Sequence, residues 1–536
     1  MMARMGRLPR LALLTALGGG VFLAGLELMI TATALPSIVP SLADWTRLRE
    51  ASWIINGYLV AYVAMMPVAG RLADRLGVVG PCLAALLVFA TGSALSGAAQ
   101  SLEALIAARV VQGIGGGALV PLATSGASHL FEGRGRARAL GVIGALTFLG
   151  MAAGPFVGAA ILETGDLRPA LEAGGLPSWL VAAVTPAWRW VFYIDVPAAV
   201  LAALYVWAAA PAWDAPRVRT PLRAPVLALF TVGLAGALVA LTWVGGSGAP
   251  GGSAGEGGLA IGSAVALVGA LALGAIRRDP LLDPRRYLDP GLGGAVAVSA
   301  LTGYALATAL IGGAVFVDRV LYGGPDDQRV ALGALAAAMA VGALLSGLVM
   351  DRAGVVRVSV VGLAVSAVAL AALGLTTRLT PLGELAALLG LFGLGFGLTV
   401  SPRSLAAVEA AGRSAFGVAS GAVTVARMLG MAVGLAVLTA FGSGRIEALT
   451  RAVQDPAYRD SVLPVALRGR PLADGLVVDA LERWAADQGA AILGGLFLVA
   501  GAITLVAVLP ALAMGWRRTP DRARTPGAGA EVPGEA

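Results

Sequence analysis

The chain has 536 residues, a mean hydropathy of +0.84 and a charged fraction of only 13%. Because soluble domains carry about 25% charged residues, this composition excludes an ordinary soluble enzyme and indicates a membrane protein. All of its basic residues are arginines, so a lysine P-loop for ATP and a lysine Schiff base are also excluded. The single histidine, His129, and the single cysteine, Cys82, cannot form a zinc site or a disulfide, and we interpret both as structural residues.

Apolar runs of about 20 residues follow one another along the chain and predict transmembrane helices. There are fourteen, at residues 11–38, 51–70, 80–99, 104–126, 139–162, 190–210, 224–244, 258–276, 291–316, 330–350, 358–377, 385–402, 414–441 and 488–515. The first run also resembles a secretory signal peptide, since arginines precede it and Ala32-Thr33-Ala34 resembles a cleavage site. We interpret it as a membrane helix, because Glu27 interrupts it and it continues past the length of a signal core. The predicted fold class is an all-α polytopic membrane protein.

The placement of the arginines predicts the orientation of these spans. An even number of spans puts both termini on one side, and the segments on that side hold 23 arginines against 13 on the other. Six of those 13 lie in one long loop, where the positive-inside rule is weak. We therefore expect both termini to lie in the cytoplasm. We attribute its net charge of +7 to this bias and not to nucleic-acid binding.

Two stretches of sequence recur at nearly the same spacing. GRLADRLG supplies Gly70, Asp74, Arg75 and Gly77, which recur 277 residues later as Gly347, Asp351, Arg352 and Gly354 of GLVMDRAG. LGMAAGP at 149–155 recurs as LGMAVGL at 429–435, at an offset of 280 residues. Two motifs that are repeated at nearly the same distance along the chain predict a duplicated unit whose two copies are parallel.

The repeat predicts two six-helix bundles with two inserted helices between them. We expect an N-terminal bundle at 1–210, a linker with the two extra helices at 211–290, a C-terminal bundle at 291–516 and a disordered cytoplasmic tail at 517–536. Two outer segments interrupt the lipid pattern. The segment 163–187 contains an apolar patch from Trp179 to Val184 that predicts an interfacial helix. The charged segment 443–487 contains residues 475–489, which predict an amphipathic helix.

Five motifs occur along the chain: LELMITATALPSI (26–38), GRLADRLG (70–77), RVVQGIGGGALVP (109–121), LGMAAGPFVG (149–158) and WRWVFYIDVP (188–197). Together they resemble motifs of the major facilitator superfamily, in its fourteen-helix drug:proton antiporter branch. The context of Arg427 and the long segment 443–487 resemble a mycobacterial subgroup linked to lipid and drug export. The resemblance covers almost the whole chain. It implies the major facilitator fold and a proton gradient as energy source; we expect a monomer that uses no cofactor or metal.

The two turns that contain Asp-Arg, here called the DR turns, predict a conformational latch formed by the eight repeated residues named above. An aspartate at a helix end can accept hydrogen bonds from the N-terminus of a facing helix and can pair with arginines across the turn. The chain departs from the family after the first turn, where Val78 and Val79 stand in place of basic residues. We therefore expect a weaker latch, or one closed by Arg71 and Arg75 alone. The alternative is that Asp74 and Arg75 only set the topology.

Glu27 is the strongest candidate for proton coupling. It lies near the middle of the first span, where an ionised carboxylate costs at least about 2.5–3.5 kcal/mol. Arg427, in the thirteenth span, is its natural counter-charge, and the repeat counterpart of Arg427 is Thr147. We expect Glu27 and Arg427 to face a common central cavity in which substrate or proton binding competes with their pairing. The alternative is a purely structural ion pair.

Two further groups of residues have predicted roles. Arg109 lies near Gln112 in the fourth span, and the resemblance implies that it contributes to a proton relay. The alternative is an arginine that extends to the membrane interface. The fifth span is predicted to bend and to pack closely against the other half of the protein, because it contains Gly150, Gly154, Pro155 and Gly158. The alternative is that these residues serve ordinary helix packing.

Together with the resemblance, these features predict a proton-coupled multidrug exporter of a bacterial inner membrane. We expect it to work by alternating access on hydrophobic or amphiphilic compounds, apolar or cationic. The alternative is a lipid exporter that hands its substrate to a periplasmic or lipoprotein partner through segment 443–487. A third interpretation is a sensor or scaffold that retains the fold but does not transport. The presence of Glu27 and of both DR turns disfavours it. An uptake symporter is a fourth, although the motif of the fifth span resembles that of exporters.

Overall fold

The computed structural model of the protein describes residues 7–42, 47–164, 168–175, 177–209, 214–217, 223–246, 254–471 and 474–515. Within these ranges every regular element is a helix and none is a strand. Fourteen helices are long and apolar enough to cross a membrane, as predicted. The tail predicted at 517–536 lies outside the described residues.

The long helices are labelled in chain order. They are α1 (Arg7–Leu42), α2 (Trp53–Leu76), α3 (Val79–Ala98), α4 (Leu102–Leu130), α5 (Arg134–Leu162), α6 (Asp195–Ala209), α7 (Ala224–Gly246), α8 (Ala254–Ile276), α9 (Pro290–Arg319), α10 (Pro325–Ala353), α11 (Val355–Leu373), α12 (Leu382–Leu398), α13 (Phe416–Gln454) and α14 (Gly475–Val506). Short helices complete three of the spans: Arg189–Tyr193 precedes α6, Val400–Ala411 continues α12 and Val508–Ala513 continues α14.

Several helix starts are set by capping side chains. Ser101, Asp289 and Asp474 precede α4, α9 and α14, and each accepts a hydrogen bond from a backbone N–H of the first turn. Such a side chain satisfies one of the N–H groups that a helix start leaves without a partner. Proline opens α9 and α10, where its missing N–H costs nothing.

The helices form two bundles and an inserted pair. In the first bundle α1 packs on α5, and α2 and α3 pack on α4; in the second, α9 packs on α13, and α10 and α11 pack on α12. The bundles meet along two seams, α5 against α10 and α2 against α13. The inserted helices α7 and α8 pack on each other, and α7 lies against α2 and α13 beside the second seam.

The outward faces of the helices are apolar. Leu201 and Trp207 on α6, and Val265 and Val268 on α8, are about two-thirds exposed. Lipid tails solvate such side chains as well as a protein core does, so bundles in a membrane are held by close packing of small residues. The abundance of glycine at the helix contacts follows from this requirement.

Two helices extend beyond their apolar segments. α13 continues to Gln454, and residues 475–489 form the start of α14 instead of the separate amphipathic helix predicted. A helix need not end where the apolar sequence ends, because its backbone hydrogen bonds continue as well in water as in lipid. Segment 443–487 therefore contributes two helix extensions, with a short helix at Pro456–Val462 between them. In segment 163–187, a helix forms at Ser178–Val184.

Candidate functional site

A cluster of polar side chains is buried in the first bundle between α1, α4 and α6. Arg109 on α4 donates hydrogen bonds to Glu27 on α1 and, at 2.6 Å, to the side-chain oxygen of Gln112. Its Nε also donates to the carbonyl oxygen of Ile54 at 3.1 Å. Thr31 donates to the same Glu27 oxygen at 2.6 Å. The structure thus brings together three of the residues that the sequence singled out.

The cluster contains a second acid, Asp195 at the start of α6, which the sequence analysis missed. Gln112 Nε2 lies 3.5 Å from Asp195 Oδ2, and the Asp195 carboxyl group is within hydrogen-bonding reach of Glu27. Both carboxyl groups are fully buried. The sequence did carry a signal, since WRWVFYIDVP puts an acid into an apolar run. Only the fold carries that acid to α1.

The cluster holds two carboxyl groups but one guanidinium. Glu27 Oε2 and Asp195 Oδ1 have no hydrogen-bond partner among the described residues. A buried net charge and a buried oxygen without a donor both cost free energy. One proton shared between the two acids removes both costs, because a protonated carboxyl group donates a hydrogen bond to the other. The arrangement can therefore hold one proton and release it.

Aromatic rings enclose the Arg109 guanidinium and exclude water from it. Its central carbon lies 4.3 Å from the ring centroid of Tyr58 and 5.4 Å from that of Phe192. Tyr58 stacks on Tyr62 with 5.6 Å between ring centroids. Both rings belong to α2, the helix that packs on α13 at the second seam.

The expectation that Glu27 and Arg427 face a common cavity is wrong in this structure. Glu27 pairs with Arg109, whereas Arg427 lines a separate cavity between the bundles. Helix α1 separates the two sites, because Gly25 packs on the backbone of Thr147, whose side chain lines that cavity. Successive helical residues are about 100° apart, so Glu27, two positions after Gly25, lies on the opposite face of α1.

The cavity between the bundles, here called the inter-bundle cavity, has a volume of about 40 Å³. Helices α4 and α5 line it from one bundle, and α13 and the helix Val400–Ala411 from the other. Its polar lining consists of Thr124, Thr147, Arg403, Ser404, Ser420, Thr424 and Arg427. Arg403 was not singled out from the sequence, because it follows Ser401 and Pro402 near the predicted end of a span.

The first DR turn joins the two bundles at the second seam. Asp74 accepts hydrogen bonds from the backbone N–H groups of Gly417 at 2.8 Å and of Val418 at 2.9 Å, in the first turn of α13. The positive end of the α13 dipole favours a carboxylate there. Gly70 packs directly on the Gly417 carbonyl oxygen, so a larger residue at position 70 would force the helices apart. The contact with a facing helix N-terminus is therefore present, and its latch role stays a prediction.

The second DR turn makes a related contact at the other seam. Asp351 pairs with Arg138 of α5 at 2.5 Å. A Cβ on Gly347 would lie 2.8 Å from the Ala137 carbonyl oxygen, so this glycine too permits a close approach. Between the two seams, Glu132 pairs with Arg413 across the bundles. We call the end of the molecule that carries these contacts the turn side.

The arginines of the DR turns do not contribute to these contacts. Arg75 and Arg352 are exposed and form no hydrogen bond or ion pair within the described part of the chain. Gly77 and Gly354 have φ of +86° and +80°, which favours glycine. The expectation that Arg75 helps to close the latch is therefore wrong. At the first DR turn the interacting group is Asp214 of the linker. Its carboxylate accepts hydrogen bonds from the backbone N–H groups of Val78 and Val79 at 2.8 and 3.1 Å.

Arg71 joins the first bundle to the segment after α8. It pairs with Asp279, and both side chains are buried. Asp279 also accepts from the backbone N–H of Leu281 at 2.9 Å. Burial raises the pKa of the nearby Tyr287 to about 12, so its hydroxyl stays protonated and donates to the Leu281 carbonyl at 2.6 Å. No pattern in the sequence connects Arg71 with a residue 208 positions away.

The glycines of α5 pack within their own bundle. The Cβ positions of Gly150, Gly154 and Gly158 face α1, close to Phe22, Leu26 and Ile30. The prediction that they pack against the other half is therefore wrong. Their spacing of four places them on one face of α5, and residues such as Gly141 and Gly144 face the second bundle instead. Helix α5 continues unbroken through Pro155.

The repeat of this motif makes the corresponding contact in the second bundle. Gly430 packs on the carbonyl oxygen of Ala300, and a Cβ on Gly434 would lie 2.7 Å from that of Tyr304, so α13 lies on α9 as α5 lies on α1. The recurring glycines thus mark the same helix pair in both bundles.

Comparison with known proteins agrees with this architecture. The family model of the Major Facilitator Superfamily matches residues 17–435. A triacylglyceride transporter of Mycolicibacterium hassiacum is 31% identical over 444 residues, which cover 80% of this chain and 78% of that protein. One of Mycolicibacterium smegmatis is 29% identical over 469 residues, covering 85% and 80%.

Solved structures show the same fold. An inward-facing bacterial homologue of the human lysosomal transporter Spinster matches with a TM-score of 0.59 at 17% identity, covering 96% of this chain and 100% of that one. The proton:xylose symporter XylE matches with a TM-score of 0.55 at 12% identity, covering 93% and 94%. The described residues contain fourteen helices able to span a membrane, arranged as two bundles with an inserted pair. With the family match, the chain belongs to the major facilitator superfamily and is a multi-pass membrane transporter.

Proposed function

We propose that the protein is a proton-coupled exporter of lipids in a bacterial inner membrane, with the turn side in the cytoplasm. The excess of arginine in the turn-side segments supports this orientation. Lipid export ranks before multidrug efflux, because the similar mycobacterial proteins are named triacylglyceride transporters. The sequence alone had favoured multidrug export over lipid export, and the comparisons reverse this order.

The observation that carries proton coupling is the cluster of two buried acids and one arginine. Glu27 and Asp195 each have one carboxyl oxygen without a hydrogen-bond donor, and Arg109 can neutralise only one of the two carboxylate charges. With a proton bound the cluster is neutral; without it the cluster carries a net negative charge in a dry site. This difference in stability couples proton binding to the conformation in which the cluster is open to water.

Helix α1 is the element that can transmit the change. Glu27 lies on the face of α1 toward the proton site, and Gly25 lies on the face that packs against α5 beside the inter-bundle cavity. A shift of α1 on deprotonation therefore alters the wall of that cavity. Release of the Asp74 contact with α13 then opens the turn side to a substrate from the cytoplasmic leaflet.

The energy of one proton is sufficient for this task. Under 100 mV and one pH unit, one proton moving inward supplies about 3.7 kcal/mol. Since about 1.4 kcal/mol corresponds to a tenfold gradient, one proton can sustain export of a substrate against a gradient of roughly several hundredfold. ATP is not required.

The segment 443–487 is the proposed point of delivery. Its central part lies against the start of α14, where Tyr458 and Trp484 rings meet with 6.4 Å between centroids. Arg378 pairs with Asp487 at 2.8 Å and fixes the base of the extension to the second bundle. A helical projection held in this way can pass a lipid to a periplasmic or lipoprotein partner. Deletion of residues 455–471 is expected to stop lipid export in cells while transport in liposomes continues.

Reconstitution tests the proposal. We would place the purified protein in liposomes that contain a fluorescent triacylglyceride or, in a parallel sample, a fluorescent phosphatidic acid. We would then impose a pH gradient and record lipid transfer together with internal pH. The wild type is expected to transfer lipid only with the gradient, and Glu27→Gln and Asp195→Asn should each reduce gradient-driven transfer at least tenfold. Glu172→Gln, an exposed acid outside the cluster, is the matched control.

Three outcomes would contradict the proposal. Transfer that is independent of the gradient would remove proton coupling. Gradient-driven efflux of dyes without lipid transfer would restore the multidrug reading. Absence of any gradient-driven movement, of lipids or dyes and in either direction, would favour the sensor or scaffold.

A further inference from the structure

The inter-bundle cavity carries two positive charges and no negative one. Arg403 and Arg427 line it, and no Asp or Glu is among its lining residues in the described chain. An arginine side chain remains charged in a protein interior. Arg403 is buried and Arg427 is partly buried, and cations held away from bulk water without an anionic partner are unfavourable. The cavity is therefore electrostatically prepared for an anion.

The two arginines differ in their existing contacts. Arg403 is 2% exposed, donates to the Thr302 hydroxyl at 2.7 Å, and lies 4.9 Å from the ring centroid of Phe396. Arg427 forms no hydrogen bond or ion pair within the described ranges, and its Nε is buried without a partner. Arg427 is thus the free binding group, and Arg403 adds a second positive charge to the same cavity.

Four of the five hydroxyl groups that line the cavity already donate their protons within their own helices. Thr124, Thr147, Ser420 and Thr424 each donate their proton to a backbone carbonyl four residues earlier in the same helix. Their oxygens can still accept a hydrogen bond, but their protons are already used. The unused donors of the cavity therefore belong mainly to a charged group, which strengthens its preference for an oxyanion.

Among the described residues, no acid reaches the cavity to neutralise it. Glu27 is held by Arg109 on the far side of α1, and Asp74 is held by the N-terminus of α13. The remaining walls are apolar, with Leu140, Ile143 and Phe148 among them. A cationic site bounded by apolar walls matches an amphiphile with an acidic head.

We propose that the inter-bundle cavity binds the acidic headgroup of a lipid, phosphate or carboxylate, through Arg427 with support from Arg403. This inference rests on the proposed function, because it names the class of lipid that is exported. A volume of about 40 Å³ has room for about three water molecules, and so for one oxyanion group but not for acyl chains. The chains lie between the bundles only when these separate. Cationic drugs are repelled from the same site.

A binding experiment without a pH gradient tests the inference. The full-length protein in detergent is titrated with dihexanoyl phosphatidic acid, with dihexanoylglycerol, which lacks the phosphate, and with inorganic phosphate. The phosphatidic acid is expected to bind at least tenfold more tightly than either of the others. Arg427→Gln should abolish the preference, and Arg427→Lys, which keeps the charge, should retain most of it. Arg75→Gln changes an exposed arginine that forms no hydrogen bond or ion pair with the described residues, so this variant should bind as the wild type does.

Two results would overturn the inference. Equal affinity for the two lipids, or an unchanged preference in folded Arg427→Gln, would show that the headgroup charge is not recognised there. Inorganic phosphate that binds as tightly as the lipid would assign the cavity to a free anion. A retained headgroup preference without gradient-driven transport would instead contradict only the proposed function, so the two failures are distinguishable.

Discussion

Substitution of Asp74 by Asn should shift the transporter toward the conformation that is open on the turn side. In the closed form the two Asp74 oxygens accept hydrogen bonds from Gly417 and Val418 at 2.8 and 2.9 Å, and the side chain is 5% exposed. Asn keeps one acceptor and loses the charge. A lost charged hydrogen bond costs about 1.5–3 kcal/mol, and loss of the charge at a helix N-terminus adds about 0.3–1 kcal/mol. Taking about 2–3 kcal/mol together, the open population should rise roughly 30- to 140-fold.

Cysteine labelling measures this population. Cys82, which is buried, is replaced by Ser, and a reporter cysteine is placed at Ser404 in the inter-bundle cavity. While the closed form dominates, the labelling rate from the turn side is proportional to the open fraction. Asp74→Asn should therefore raise the rate about 30-fold or more, with circular dichroism confirming that the variant is folded.

The other DR turn provides a matched control. Asp351→Asn removes a carboxylate that is also largely buried, at 7% exposed, but its partner Arg138 is 55% exposed and remains solvated. An ion pair with such an exposed partner contributes about 0–1 kcal/mol. Its effect on labelling should be about fivefold or less. An unchanged rate in Asp74→Asn, or a larger effect in Asp351→Asn, would refute the argument that the latch depends on the buried contact with α13.

Further predictions concern the packing around these sites. Gly70→Ala should open the turn side as Asp74→Asn does, because the added methyl group meets the Gly417 carbonyl, while Gly80→Ala, with open space around it, should leave labelling at the wild-type rate. Arg71→Gln leaves the Asp279 carboxylate buried without its arginine partner, so it should lower the free energy of unfolding by about 3–5 kcal/mol. The melting temperature in detergent should fall accordingly, and adding Asp279→Asn should restore most of the lost stability. A double variant as unstable as the single one would contradict the pairing. Gly150→Ala should lower the melting temperature by separating α5 from α1, whereas Gly19→Ala should not; equal melting of both would argue against this close packing.

The helices and their number could be predicted from sequence because lipid imposes a simple rule. A span must satisfy its own backbone hydrogen bonds over about 30 Å of hydrocarbon, so apolar runs of about 20 residues suffice to find it. The recurring DR and LGMA motifs added the two-bundle arrangement, which the fold confirms. No such rule sets where a helix ends in water. The sequence therefore did not predict that residues 475–489 form the start of α14.

Glu27, Arg109 and Gln112 were recognisable one by one, because polar side chains in apolar runs are exceptional. Their contacts were not. The partner of Glu27 depends on which face of α1 it occupies and which helix lies opposite, and so Arg109 was found where Arg427 was expected. The same applies to the glycines of α5, whose spacing defines a face without saying which helix covers it.

The sequence by itself determined that this is a polytopic membrane protein with an internal repeat and a few costly buried charges, since composition and periodicity are local properties of the chain. Only the tertiary structure decided how those charges are grouped: Asp195 beside Glu27, Arg403 beside Arg427, and Asp74 on the N-terminus of α13. The physical reason is that helices in lipid are associated by the fit of small residues over their whole length. That fit depends on the relative rotation and depth of two helices, which neither sequence specifies alone.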